Sequence, residues 1–340
     1  WSIVSLLEEY ELTGALVSMS SLVAIFLLGI AAVVLAAVFR KDMSFGRGIW
    51  LTLAYFIPIV VYTAGLYPAL RIETPFEAGG ALFAILFQLF IYMLEAAVIW
   101  LSLVAGEGLW RRMGFRMWPP LRDDSFGPEA KRSVWLGYAY AGIILGVQAV
   151  VLSIGYWKFG VWQSADPLID IRNQLFPGLY PLLAWAAAIS EEAIYRLFAI
   201  AVFTMPLRHF WRFVHRLTGK PLFLNPLFAI VPAVLLASAL WGAGHVGYAV
   251  FPVYTRLIEV TILGLVFSWL FLRHGLMAAI FAHAAVDLLW MTIDLWMNGV
   301  HGWLPGLMYM ATPIAAAYIA ALLSRRMRSR GNKAAVPLEP

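Results

Sequence analysis

Apolar residues occupy this chain in long runs, and short clusters rich in arginine, glycine and proline separate them. The runs cover approximately residues 13–39, 49–70, 81–104, 133–156, 179–204, 225–246, 255–272, 276–297 and 304–324. Each comes close to or exceeds the roughly 20 residues that a helix needs to cross a bilayer. The pattern predicts an all-α fold, a polytopic membrane bundle of about nine transmembrane helices. No internal repeat or low-complexity tract interrupts it.

Composition supports the pattern. Of the 340 residues, 62% are hydrophobic and 13% charged, against about 25% charged in soluble domains. Cysteine is absent, which excludes disulfides, cysteine metal sites and a cysteine nucleophile. Residue 1 is Trp, so a processed or incomplete N-terminus is expected. The first long apolar run follows Glu8, Glu9 and Glu11 rather than a basic segment, so no cleavable signal peptide is expected.

The net charge of +5 reads as membrane topology rather than nucleic-acid binding. With the N-terminus outside, inner loops hold 19 Lys and Arg residues, and outer loops hold only Arg71, Lys158, Arg172 and Arg256. This asymmetry predicts a cytoplasmic C-terminus. The stretch Pro206–Pro221 alternates basic and aromatic residues and reads as an inner loop with interfacial aromatics, or as an amphipathic segment on anionic lipid. The longest polar connection, Gly106 to Arg132, marks the expected boundary. It divides the chain into a three-helix membrane extension (1–105), a cytoplasmic linker (106–132), a six-helix core (133–324) and a basic tail (325–340) that is loose beyond about Gly331.

Three polar groups stand out in the second half. Glu191, Glu192 and Arg196 interrupt an apolar run. Each such charge costs about 2.5–3.5 kcal/mol at a helix centre on insertion scales. Glu192 and Arg196 are helical i,i+4 neighbours and neutralise each other, whereas Glu191 lies about 100° around the helix and lacks a local partner. Trp241-Gly242-Ala243-Gly244-His245 is the second group, its glycines permitting close backbone approach. In the third, His283 and Asp287 share a helix face.

A carboxylate in a water-poor pocket can take a proton from water and pass it to a leaving group. A histidine can share that water, and a second histidine with an acidic partner can face a developing oxyanion. Glu191, His245 and His283 are also plausible zinc ligands, although no H-E-x-x-H spacing is present. Counting residues from the helix ends places Glu191 near mid-membrane and His245 near the outer end of its segment. One site therefore requires the sixth helix to be tilted, broken near Pro232, or differently bounded.

Glu-Glu-x-x-x-Arg, aromatic-x-x-x-His and His-x-x-x-Asp, in this order on successive apolar segments, resemble the CAAX-protease and bacteriocin-processing (CPBP, or Abi) family of intramembrane endopeptidases. The phrase His274 to Asp287 is also similar to the family's third-motif context, and the resemblance spans roughly Val134 to Met297. It implies Glu191 as the base activating water, assisted by His245. It also implies Glu192 and Arg196 as a supporting pair, and His283 with position 287 as the oxyanion or substrate-carbonyl site. Trp241 stands where Phe is commoner, and Asp287 where Asn is usual in the prenyl-protein enzymes. An ionised Asp287 cannot donate to an oxyanion, so it would instead orient His283 or be protonated.

The resulting expectation is a multi-pass cell-membrane endopeptidase, with a bacterial cytoplasmic membrane suggested by the motif pattern. Its substrate would be a peptide or membrane-protein tail and its partners the bilayer and lateral membrane proteins, with no nucleic acid. No cofactor is favoured; a divalent metal such as zinc on Glu191, His245 and His283 is the alternative. A catalytically silent scaffold or accessory subunit is the competing reading, and a proton-relay transporter a third. Glu95, with Gln88, lies outside the motif pattern and either packs on the core or faces a polar cavity. Asp294, Glu259 and His301 fall near predicted helix ends, where interfacial water would reach them. Trp1, Trp50, Trp118, Trp135 and Trp303 read as interface anchors.

Overall fold

In hydrocarbon every backbone amide must be bonded within its own segment, so the apolar runs become helices. The computed structural model describes residues 3–65, 78–163, 176–248, 250–299 and 303–334. Its helices are α1 (Ile3–Val38), α2 (Ile49–Gly65), α3 (Ala78–Arg112), α4 (Phe126–Phe159), α5 (Leu182–Glu191), a wide π-helical stretch (Glu192–Ala199), α6 (Ile200–Thr218), α7 (Leu227–Ala243), α8 (Tyr254–His274), α9 (Leu276–Met297) and α10 (Trp303–Ala334). Strands β1 (Trp162–Gln163) and β2 (Val250–Phe251) form one short antiparallel pair, with Trp162 opposite Phe251.

A helix lies over each of the nine predicted runs; α5, the π stretch and α6 together cover the fifth. Among the described residues six helices are long and apolar enough to cross a membrane, while Ile49–Gly65 and Leu227–Ala243 are apolar but shorter. The protein is a helical membrane bundle.

Several local expectations change. Helices α3 and α4 extend into the stretch read as a linker, leaving only residues 113–125 between them. Trp118 in that segment is buried beneath Arg47 rather than anchored at an interface. Trp50, Trp135 and Trp303 are exposed, as membrane-facing residues would be, whereas Trp1 and His301 lie outside the described residues. The basic-aromatic stretch after Pro206 is not a loop, because α6 runs through it to Thr218. The C-terminal tail is helical as far as Ala334.

The π stretch lies at the centre of the packing. All eight of its residues are buried, and α3, α6, α7, α8 and α9 all contact it. A π turn opens the i,i+4 ladder and leaves carbonyls that need other partners. Trp110 of α3 supplies one, its indole N–H donating to the Leu197 carbonyl at 2.9 Å. Gly106, one turn earlier, lets the two backbones meet: a Cβ there would lie 2.9 Å from the same oxygen. The α3 helix is thereby fastened to the segment that carries the charges.

Substituting Gly106→Val should therefore cost about 1–3 kcal/mol, as overpacking does, and lower the melting temperature in detergent. Gly142→Ala, whose added carbon meets nothing within 4 Å, should leave it unchanged or slightly raised. Equal melting temperatures for Gly106→Val and the parent would contradict this packing.

Candidate functional site

Glu191 ends α5 and Glu192 begins the π stretch, so the two carboxylates leave the helix in different directions. Glu192 is fully buried. Its Oε1 lies 2.9 Å from His283 Nδ1, which joins the π stretch to α9. Its Oε2 lies 3.5 Å from Arg196 Nε. The expected Glu192–Arg196 pair is present, but it is the longer of the two contacts; the closer one, to His283, was not anticipated.

Arg196 is also fully buried, and its guanidinium nitrogens have no hydrogen-bond partner among the described residues. Aromatic faces take that place, with its guanidinium carbon 3.9 Å from the Trp241 ring centroid and 5.2 Å from that of Phe267. A cation desolvated against aromatic rings is attracted by their quadrupoles.

The second group is positioned by the end of α7. This helix continues through Pro232 and stops at Ala243, where the Gly242–Gly244–Gly247 spacing favours a turn. Gly242 packs tightly on α8: a Cβ there would lie 2.8 Å from the Leu257 carbonyl oxygen. His245 follows in the turn, and its Nδ1 lies 2.8 Å from the Trp241 carbonyl. A carbonyl only accepts, so Nδ1 carries the proton and Nε2 presents a lone pair.

That lone pair faces Glu191. Glu191 Oε2 is 3.8 Å from His245 Nε2 and 3.8 Å from His283 Nε2. The three side chains meet, which residue counting had left open: α7 ends at Ala243 and the turn after it carries His245. Trp241 contributes something Phe cannot: its indole N–H donates to the same Glu191 oxygen. The sequence carried a signal for this in the Trp itself. Asp287 Oδ2 is 3.4 Å from His283 Nε2, so both nitrogens of His283 face carboxylates and both find acceptors when the ring is an imidazolium.

The site is open on one side. Glu191 and Asp287 side chains are 24% and 25% exposed, while Glu192 and Arg196 are 0% and 1% exposed. The 3.8 Å gaps exceed a direct hydrogen bond and suit an intervening water. As zinc ligands, the three groups match by type, and their outer Nδ1 bonds resemble those of ligating imidazoles. Both imidazole nitrogens lie 3.8 Å from the Glu191 oxygen, somewhat wider than the roughly 3.3–3.5 Å between donors on a tetrahedral zinc. Among the described residues no group of three or more His, Asp or Glu is arranged to hold a metal ion.

Of the other acids, Glu95 is half-buried, close enough to Tyr55 and Glu191 to interact electrostatically with both. Asp294 accepts from Asn298 at 3.0 Å. Glu259 does not reach interfacial water; it is fully buried.

Residues 173–289 match the family model described as type II CAAX prenyl endopeptidase Rce1-like, a protease family. The match covers about a third of the chain, holds all six candidate residues, and is consistent with the CPBP resemblance. Comparison with curated proteins and with solved structures finds no match.

Removing one member of a buried ionic group strands the other and costs about 3–5 kcal/mol. Glu192→Ala should therefore lower the melting temperature in detergent strongly, because it leaves Arg196 and His283 without their carboxylate. Asp287→Ala, at the open side, should lower it much less. Equal losses would contradict the assignment of Glu192 to the interior.

Proposed function

From the protease-family match as premise, we propose that this membrane protein is an intramembrane endopeptidase that hydrolyses a peptide bond near the membrane surface. The observation that carries the reading is the convergence of His245 Nε2 and His283 Nε2 on one oxygen of the partly exposed Glu191 side chain.

In this reading a water sits between Glu191 and His245 and donates one proton toward each. Its oxygen lone pair then points at the substrate carbonyl. As the water oxygen bonds to the carbonyl carbon, Glu191 takes the proton and the carbonyl oxygen becomes an oxyanion. The C–N bond then breaks, and the amine leaves with the proton that Glu191 had taken. His283, as an imidazolium held through Nδ1 by Glu192, shares its Nε2 hydrogen between Asp287 and the oxyanion. Asp287 orients His283 rather than donating. Trp241 fixes the Glu191 carboxylate, and Arg196 balances Glu192.

The enzyme is of the glutamate type in this account, with no step routed through a metal. Nine crossings with the N-terminus outside and the C-terminus cytoplasmic agree with the distribution of basic residues. The hydrolytic unit is residues 133–324, with residues 1–105 as a membrane extension. A peptide or membrane-protein tail in a cell membrane is the substrate class.

Purified protein in lipid vesicles should release peptides from a membrane extract, and Glu191→Ala or His245→Ala should abolish release while melting remains cooperative. Trp241→Phe, which keeps a ring over Arg196 but loses the N–H, should reduce release by about tenfold or more, the scale of a misplaced catalytic group. Release should persist after exhaustive chelation. Full activity in Glu191→Ala would remove Glu191 as the water-activating base, absence of release by the wild-type protein would favour a silent scaffold, and loss of release on chelation with recovery on added zinc would make the enzyme metal-dependent.

A further inference from the structure

One buried ionic cluster takes no part in the mechanism above. Glu259 of α8 is fully buried. Its Oε2 accepts from Arg256 Nη1 at 2.6 Å, and its Oε1 from Gln148 Nε2 of α4 at 2.7 Å. Gln148 Oε1 in turn accepts from the Trp290 indole of α9 at 3.2 Å. Two helices thus meet at one carboxylate, with α9 bracing it through Gln148, and that carboxylate holds Arg256 in place.

The guanidinium carbon of Arg256 lies 5.0 Å from the ring centroid of Tyr248. The Tyr248 ring lies nearly parallel to that of His245, with centroids 5.8 Å apart and planes inclined by 12°. Contacts therefore run without a break from Glu259 through Arg256 and Tyr248 to the imidazole that faces Glu191.

His245 has reason to need such support. It sits in a glycine-rich turn beyond the end of α7, and its ring is held on one edge by the Nδ1 bond to Trp241. That bond sets the tautomer but leaves the ring free to swing about it. The plane of the ring decides whether Nε2 points into the gap beside Glu191. A flat aromatic face on one side, itself backed by a fixed cation, restricts that swing. Trp241 meets the same imidazole edge-on, with centroids 5.0 Å apart and planes at 68°.

We propose that Tyr248, Arg256 and Glu259 are positioning residues for the hydrolytic site: Arg256, anchored by Glu259 and Gln148, holds Tyr248 against His245 and so aims Nε2 at the attacking water. The proposal rests on the hydrolytic reading of Glu191 and His245. It assigns to α8 and the loop before it a part in catalysis outside the three motifs.

The test uses the full-length protein in lipid vesicles and a synthetic peptide spanning a cleavage site found by comparing wild type with Glu191→Gln. Glu259→Gln and Arg256→Lys should each lower kcat by about tenfold or more, with KM within about twofold of wild type. Tyr248→Phe keeps the ring and should retain at least about tenfold more activity than Tyr248→Leu. A purely structural role predicts losses that follow the melting temperature and fall equally on the Phe and Leu variants. Equal activity in Tyr248→Phe and Tyr248→Leu, or wild-type kcat in both Glu259→Gln and Arg256→Lys, would overturn the proposal. Cleavage that persists undiminished in Glu191→Gln would remove the hydrolytic reading beneath it.

Discussion

The contact between Glu192 and His283 is the constraint on which the rest of the structure depends. A carboxylate, a guanidinium and an imidazole share the centre of an apolar bundle, and all three are buried. Leaving any one of them unmatched costs several kcal/mol in such surroundings. Glu192 lies between the other two, 2.9 Å from His283 and 3.5 Å from Arg196. The aromatic rings of Trp241 and Phe267 cover the far face of the cation. This arrangement brings the π stretch, α7, α8 and α9 together, and a site made from different helices becomes geometrically defined.

Once that centre is set, the neighbouring residue is left at its edge. Glu191 precedes Glu192 by one position and so points to a different side, where a quarter of its side chain is exposed. Its oxygen meets the indole N–H of Trp241 and faces two imidazole nitrogens. Structural charge and reactive charge are adjacent in sequence but separate in environment. The buried one holds the scaffold, and the exposed one is available to water.

Much of this was legible in the sequence, for physical reasons. Helices follow from apolar runs because hydrocarbon leaves the backbone no other choice, and α9 begins and ends where its run does. The Glu-Glu-Arg cluster is visible because charges there are costly. Other features were hidden because they depend on residues far away in the chain. Glu259 beside Arg256 at a helix start looks like an interfacial pair, and only Gln148, 111 positions earlier, shows that it is interior. Trp118 resembles a membrane anchor until Arg47 covers it. The π stretch has no marker in its own residues; it is supported by Trp110 and Gly106 on another helix. The meeting of Glu191 with His245 was hidden because counting residues along a run does not show that α7 stops at Ala243 and that a turn carries His245.

The segment matched by the protease family carries all six motif residues, and helices outside it pack against it. Ser21 of α1 lies beside Gly244, next to His245, and α3 is fastened to the π stretch that bears Glu192 and Arg196. The most direct measurement of the central claim is a comparison of membrane-associated peptides in cells carrying the wild-type protein and cells carrying Glu191→Gln. The account predicts a defined set of cleavage products present in the first and absent from the second, with equal amounts of folded protein in both. Identical peptide sets at equal protein levels would contradict it.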